Sequence, residues 1–285
     1  MKTVTKVAEL QSGIEGSKLK PVGFVPTMGA LHNGHLSLVR MAVNENPVVV
    51  VSIFVNPTQF NDKDDLRSYP RTPEADIKLL SSLLRDNDII FMPEVCEIYP
   101  EEDKRKFSFG NLDNVMEAKQ RPGHFNGVAQ VVSRLFDIVK PDRAYFGQKD
   151  FQQLAVIKAM VRQLKLNISI VPVPIVRETD GLAMSSRNTL LETRIRAEAP
   201  VIYRTLERAA SMIRDNDIAD IRRFVFDSIE SHHNFKVEYF DVVDNENIYP
   251  VSSKAEMKRT MKYFACIAVK AGRIRLIDNI EFPLV

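Results

Sequence analysis

The chain has 285 residues, 45% of them hydrophobic and 27% charged, a composition that suits a folded globular protein of one or two domains and excludes a disordered or collagenous chain. Its 39 Lys and Arg against 37 Asp and Glu leave a net charge of +2, with both signs interspersed, so no basic block points to nucleic acid. The apolar run at residues 48–55 is too short to span a bilayer, the first residues lack an apolar signal core, and Cys96 and Cys266 stand in no CxxC pattern; no membrane partner and a reducing, cytoplasmic location are expected.

Residues 22–25 and 48–55 are apolar at almost every position and β-branched in the main. Such runs predict parallel strands buried on both faces. Leu36, Leu38, Val39 and Val43 between them predict a helix, which completes a βαβ unit. A second helix is predicted over "TPEADIKLLSSLLRDN", with Thr72 as cap, Pro73 in its first turn, and Glu74 and Asp76 complementing its dipole. "DIIFMP" returns as a strand. After an irregular stretch, Val128, Val131, Val132, Leu135 and Val139 recur at helical spacing. "RAYFG" predicts a strand and "DFQQLAVIKAMVRQL" a helix capped by Asp150. "ISIVPVPIV" predicts an edge strand, because Pro172 and Pro174 cannot donate to a ladder.

This alternation predicts an α/β fold with a doubly wound, Rossmann-like parallel sheet over residues 1–176. The pattern then changes. "LETRIRAEAPVIYRTLERAASMIRDN" and "DIADIRRFVFDSIESHH" read as two consecutive helices, followed by strands in "FKVEYFDVVD" and "YFACIAVKAGRIRLID", the latter turning near Ala271 and Gly272. A second, smaller α+β domain is expected over residues 177–285.

Ligands of open parallel sheets bind beyond the carboxyl ends of the strands. Four polar motifs fall at such ends: "PTMGALHNGH", "NPTQF", "FGQKDFQQ" and "VRETDGLAMSSRN". In the first, Gly29 allows close backbone approach to a ligand. Asn33 and Gly34 open a helix whose N–H groups favour an anion, with His32 and His35 beside it. A helix N-terminus disfavours imidazolium, so the histidines would act as neutral donors. The alternatives for the pair are structural caps, surface residues or zinc ligands, and no third ligand stands at a zinc-like spacing. A GxxxxGK[ST] phosphate loop is absent.

"PTMGALHNGH" resembles the HxGH signature of a nucleotidyltransferase superfamily. With "SIFVNPTQF", "YPRTPEAD", "RPGHFNGVAQVV", "PDRAYFGQKDFQQ" and "VRETDGLAMSSRN", the chain resembles the pantoate–β-alanine ligase (pantothenate synthetase) family in motif order from residue 22 to about 190. The resemblance implies ATP-dependent condensation of pantoate with β-alanine to pantothenate, AMP and pyrophosphate, through pantoyl adenylate. It implies ATP binding by Met28, Gly29, Ala30, Leu31, His32, Asn33, Gly34 and His35, by Gly147, Gln148, Lys149 and Asp150, and by Val176, Met184, Ser185, Ser186 and Arg187. His35 and Lys149 are the implied catalytic residues. Gln148 stands where the family commonly has glutamate. Gln59 and Gln153 are implied for pantoate and Gln59 for β-alanine, with Asn56, Arg121 and His124 as neighbours. Asp76 is expected to help hold Mg2+ through phosphates and waters. A homodimer and a C-terminal domain acting as a lid are implied as well. A different adenylyl-transferring enzyme would not need the glutamines of "NPTQF" and "KDFQQ" together, and a non-catalytic nucleotide-binding module would not retain every phosphate-contacting side chain.

Overall fold

The computed structural model describes residues 1–60 and 63–283. The chain divides into two compact units, one of Met1–Gln148 with Val156–Pro174, the other of Lys149–Ala155 with Ile175–Val285.

The first unit contains β1 (Lys2–Val4), β2 (Val22–Thr27), β3 (Val48–Ile53), β4 (Ile89–Phe91), β5 (Arg143–Gly147) and β6 (Ser169–Val173). All pair in parallel, in the order β1-β4-β3-β2-β5-β6. The apolar runs predict these strands because a parallel sheet covered on both faces needs no polar face. Val48, Val49, Val50 and Val51 of β3 are all fully buried. The proline-bearing β6 lies at an edge, as predicted. The opposite edge is β1, which the sequence does not announce, since three residues carry no period. The helix Asn33–Glu45 buries Leu36, Leu38, Val39 and Ala42. The chain runs outward from β2 through β3 to β4 and then resumes at β5 on the other side of β2. That reversal creates a crevice at the carboxyl ends of β2 and β5, the place where such sheets bind ligands.

In the second unit, β7 (Phe235–Asp244), β8 (Pro250–Val251), β9 (Tyr263–Ala271) and β10 (Ile274–Phe282) form an antiparallel sheet in the order β10-β9-β7-β8. The helices Val201–Met212 and Ile218–Glu230 bury one face each in the same core. The helix predicted over residues 191–216 is two helices, Thr193–Glu198 and Val201–Met212. Pro200 lies at the break, where it has no N–H to give an i−4 carbonyl.

Candidate active site

The turn after β2 is held by a carboxylate 46 residues away. The Ala30 N–H donates to Asp76 Oδ2 at 3.0 Å and the Leu31 N–H to Oδ1 at 2.8 Å. Thr72 Oγ1 donates to the same Oδ1 at 3.1 Å. Asp76 is 1% exposed. Gly29 and Ala30 adopt φ of +80° and +48°, and a Cβ on Gly29 would lie 3.0 Å from Asp76 Oδ2 and 3.1 Å from Ile53 Cγ2. Glycine is favoured there by its left-handed φ, and a Cβ would press against Asp76 and Ile53. One expectation changes. Thr72 makes no side-chain cap to its helix, because its hydroxyl serves Asp76. Asp76 Oδ1 accepts two bonds and Oδ2 one, so the carboxylate holds the loop and Oδ2 keeps an acceptor site. Among the described residues no group of three or more His, Cys, Asp or Glu could hold an ion.

The helix Asn33–Glu45 begins with a reciprocal capping box made by two imidazoles. His32 Nδ1 accepts the Gly34 N–H at 3.1 Å, and His35 Nδ1 accepts the His32 N–H at 3.3 Å. The rings lie 4.1 Å apart, centroid to centroid. An Nδ1 that accepts a backbone N–H carries no proton, so each neutral ring bears its hydrogen on Nε2. Capping and phosphate donation, alternatives in the sequence, thus become compatible: one nitrogen of each ring caps and the other is a donor.

The "NPTQF" motif is a 3₁₀ turn, Pro57–Gln59, opened by Asn56. Gln59 is buried; its Nε2 lies 2.7 Å from Met28 Sδ, and its Oε1 accepts from Asn56 Nδ2 at 3.4 Å. Tyr99 donates its hydroxyl proton to Asn56 Oδ1 at 3.1 Å. The "RPGHFNG" segment supports this turn from the helix His124–Val139. His124 Nδ1 donates to the Gln59 carbonyl at 2.8 Å, which fixes the tautomer, and Nε2 then accepts from Arg121 Nη1 at 3.1 Å. A Cβ on Gly127 would stand 2.5 Å from the Thr58 carbonyl oxygen, so the helix meets the turn backbone to backbone. The structure thus joins Met28, Asn56, Gln59, Arg121 and His124 in one network. Gly147 ends β5, and the Gln148 N–H donates to the Val173 carbonyl at 2.8 Å.

The remaining candidates lie in the second unit. Lys149 and Asp150 precede the helix Phe151–Gln163, and the Asp150 carbonyl accepts the Leu154 N–H at 3.0 Å, which puts Asp150 at the N-cap position. Gln153 is half-buried in the first turn. Residues 176–184 form a hairpin: Arg177 bridges to Ala183, and the Met184 N–H donates to the Val176 carbonyl at 3.0 Å. Gly181 turns it at φ +94°. Ser185 Oγ then accepts the Arg187 N–H at 3.3 Å and opens the 3₁₀ turn Ser186–Leu190.

Sequence reasoning assigns nothing to Asp278 and Asn279. Arg177 makes a two-point ion pair with Asp278, at 2.7 and 3.0 Å, with its guanidinium carbon 3.6 Å from the centroid of the Tyr203 ring. Burial pushes the Asp278 carboxyl above the usual carboxylate range, against the pull of Arg177. Asn279 Nδ2 donates to the Lys149 carbonyl at 3.0 Å. The one local signal is Asp278, which interrupts the otherwise apolar alternate positions Ile274, Leu276, Ile280 and Phe282 of β10.

A parallel sheet with a histidine-capped helix at its switch point defines an α/β protein of the doubly wound, Rossmann-like class. Residues 2–281 match the pantoate-beta-alanine ligase family. The chain is 50% identical over 284 residues to the pantothenate synthetase of Bacteroides fragilis, covering 99% of each. It superposes on the crystal structure of pantothenate synthetase from Thermus thermophilus with TM-score 0.89 at 42% identity, covering 99% of this chain and 100% of that one. For pantoate-beta-alanine ligase from Francisella tularensis complexed with beta-gamma ATP and beta-alanine, the TM-score is 0.80 at 36% identity, with 99% and 97% covered. The chain belongs to the pantoate–β-alanine ligase family, and its activity is the condensation of pantoate with β-alanine.

Proposed function

We propose that ATP drives this condensation in two steps on the residues described above. A carboxylate oxygen of pantoate attacks the α-phosphorus of ATP; the bond to the bridging oxygen breaks and pyrophosphate leaves. The amine of β-alanine then attacks the acyl carbon of pantoyl adenylate, AMP leaves with the bonding pair, and the amine loses a proton. The observation that carries the reading is the double imidazole cap. It presents two Nε2–H donors at a helix N-terminus.

Met28 to His35, Gly147 to Asp150, Val176 and Met184 to Arg187 are assigned to ATP. His35 donates its Nε2–H toward charge developing on the phosphates, as a fixed neutral donor. A second proton on Nδ1 would cost the bond from the His32 N–H. Lys149 adds a point charge, and Arg187 with the two serines suits the outer phosphates. Gln59 and Gln153 orient pantoate through amides that donate and accept without adding charge, and Gln59 also serves β-alanine. Magnesium enters with ATP, held by phosphates and waters. The same proposal places the enzyme in the cytoplasm as a homodimer. No helix among the described residues is long and apolar enough to cross a membrane.

Pantoate should support ATP–pyrophosphate exchange without β-alanine. Exchange that strictly requires β-alanine would rule out a separate adenylate.

A further inference from the structure

Asp278 and Asn279 follow one another on β10 and are each 4% exposed. Successive strand side chains point to opposite faces, so this one point of the strand reaches two different segments. Asp278 takes the Arg177 guanidinium at two points. The same guanidinium donates to the Gly181 carbonyl at 3.2 Å and the Asn279 carbonyl at 3.4 Å. Arg177 therefore ties the first arm and the turn of the 176–184 hairpin to β10, and its bridge to Ala183 links the second arm to them. The second arm of that hairpin runs directly into Met184–Arg187, and Asn188 Nδ2 closes the junction by donating to the Ala183 carbonyl at 3.1 Å. Asn279 reaches the other way, to the Lys149 carbonyl at 3.0 Å.

We propose that Asp278 and Asn279 are positioning residues for adenylate formation: Asn279 sets the backbone from which Lys149 reaches the phosphates, and Asp278, through Arg177, sets the Ser185–Arg187 turn. Neither is assigned a contact with ATP. The inference rests on the reading of Lys149 and Ser185–Arg187 as phosphate contacts. Its physical basis is that reacting groups must be held to within a fraction of an ångström, and that a 1 Å displacement costs about 10²-fold in rate. Long side chains such as Lys149 and Arg187 do not position themselves; their backbone anchors do. A buried ion pair is weak evidence for stability alone, and a pair that anchors the stem of a phosphate-contacting turn has a use beyond stability.

The test is a double-mutant cycle on the full-length enzyme, read as single-turnover pyrophosphate release from ATP and pantoate. Asn279→Ala should slow this step about tenfold in the native background, and less than twofold in the Lys149→Ala background, where no ammonium remains to be positioned. Asn279→Leu, which keeps the size, removes the donor and adds no charge, should behave alike and serves if the alanine variant folds poorly. Asp278→Asn should show the same pattern against Arg187→Ala. Attack of β-alanine on supplied pantoyl adenylate should change less than twofold in Asn279→Ala. Equal slowing in both backgrounds, or equal slowing of both half-reactions, would show a structural role only and overturn the inference, as would native rates in Asn279→Ala. Native adenylation in Lys149→Ala itself would overturn the phosphate reading beneath it.

Discussion

At His35 the side chain caps its helix through Nδ1, and the proposed mechanism gives it a second, separable task as a donor through Nε2. Glutamine at the same position is a regular partner in a capping box, so His35→Gln should keep the cap through Oε1 and shift its remaining donor, the amide Nε2, away from the place of the imidazole Nε2–H. We expect stability to change by less than about 1 kcal/mol while adenylate formation falls about 10²–10³-fold. Thermal melting and single-turnover kinetics on one preparation check both halves. Gln59 allows a similar dissection. Glutamate keeps its shape, removes the amide donor and sets a negative charge near the pantoate carboxylate. Two like charges at about 4 Å repel by roughly 4 kcal/mol at an effective dielectric near 20. Solvent and shifted ionisation reduce that to about 1–3 kcal/mol. Gln59→Glu and Gln153→Glu should therefore weaken pantoate binding about 5- to 150-fold, with ATP binding little changed. Titrations with each substrate alone decide it, and loss of ATP affinity with pantoate affinity intact would put the glutamine in the wrong pocket.

Among the elements, the helix His124–Val139 and the turn Pro57–Gln59 depend on the absence of one side chain. An exposed helical Gly→Ala substitution gains up to about 1 kcal/mol. At Gly127 the new methyl would meet the Thr58 carbonyl oxygen at 2.5 Å and Gln59 Cα at 2.8 Å, and backbone cannot move aside as a flexible side chain does. Gly127→Ala should lose about 1–3 kcal/mol and raise the pantoate requirement, because the displaced turn carries Gln59. Calorimetry and a pantoate titration measure these effects, and a stabilised variant with native pantoate affinity would refute the packing argument. The turn after β2 depends on Asp76 in the same way. Asp76→Ala leaves the Ala30 and Leu31 N–H groups without their acceptor, and a buried unsatisfied donor costs about 1–3 kcal/mol. ATP affinity should fall with it, as measured by calorimetric titration against Thr72→Val, which removes only the outermost bond of the set.

For the molecule as a whole, acid sensitivity should follow its paired carboxylates. Asp103 accepts a two-point bond from Arg105, at 2.9 and 3.0 Å from Nε and 2.5 Å from Nη2. Its side chain is 3% exposed, and Arg105 holds its carboxyl below the usual carboxylate range. A depressed folded pKa contributes stability that is fully present above the unfolded value, about 3.9, and is lost as pH falls through the folded one. The melting temperature should therefore drop below about pH 4. Asp103→Asn should melt lower at pH 7, by about 1–3 kcal/mol for bonds to a charged group, and its pH profile should be flatter, converging on the native one in acid. Parallel profiles would exclude Asp103 as a source of the acid sensitivity. Asp180, paired with Arg196, shifts in the same direction, but it is exposed to solvent and contributes less.

The sequence by itself determined what is periodic or local. Valine runs specify strands buried on both faces, helical spacing specifies the amphipathic helices, and the motifs at the strand ends carry the family resemblance, since a motif keeps its residues within one turn. Only the tertiary structure decided which distant groups hold those motifs in place. Lys2–Val4 is too short to carry a pattern, and becomes a strand only because Ile89–Phe91 offers an open edge. Asp76 reads locally as a first-turn carboxylate, and its partners Ala30 and Leu31 lie 46 and 45 residues away. Asn279 meets Lys149 across 130 residues. A backbone N–H or carbonyl is chemically the same at every position, so no spacing rule marks the one that a remote side chain will reach; folding selects it by bringing the two together out of water.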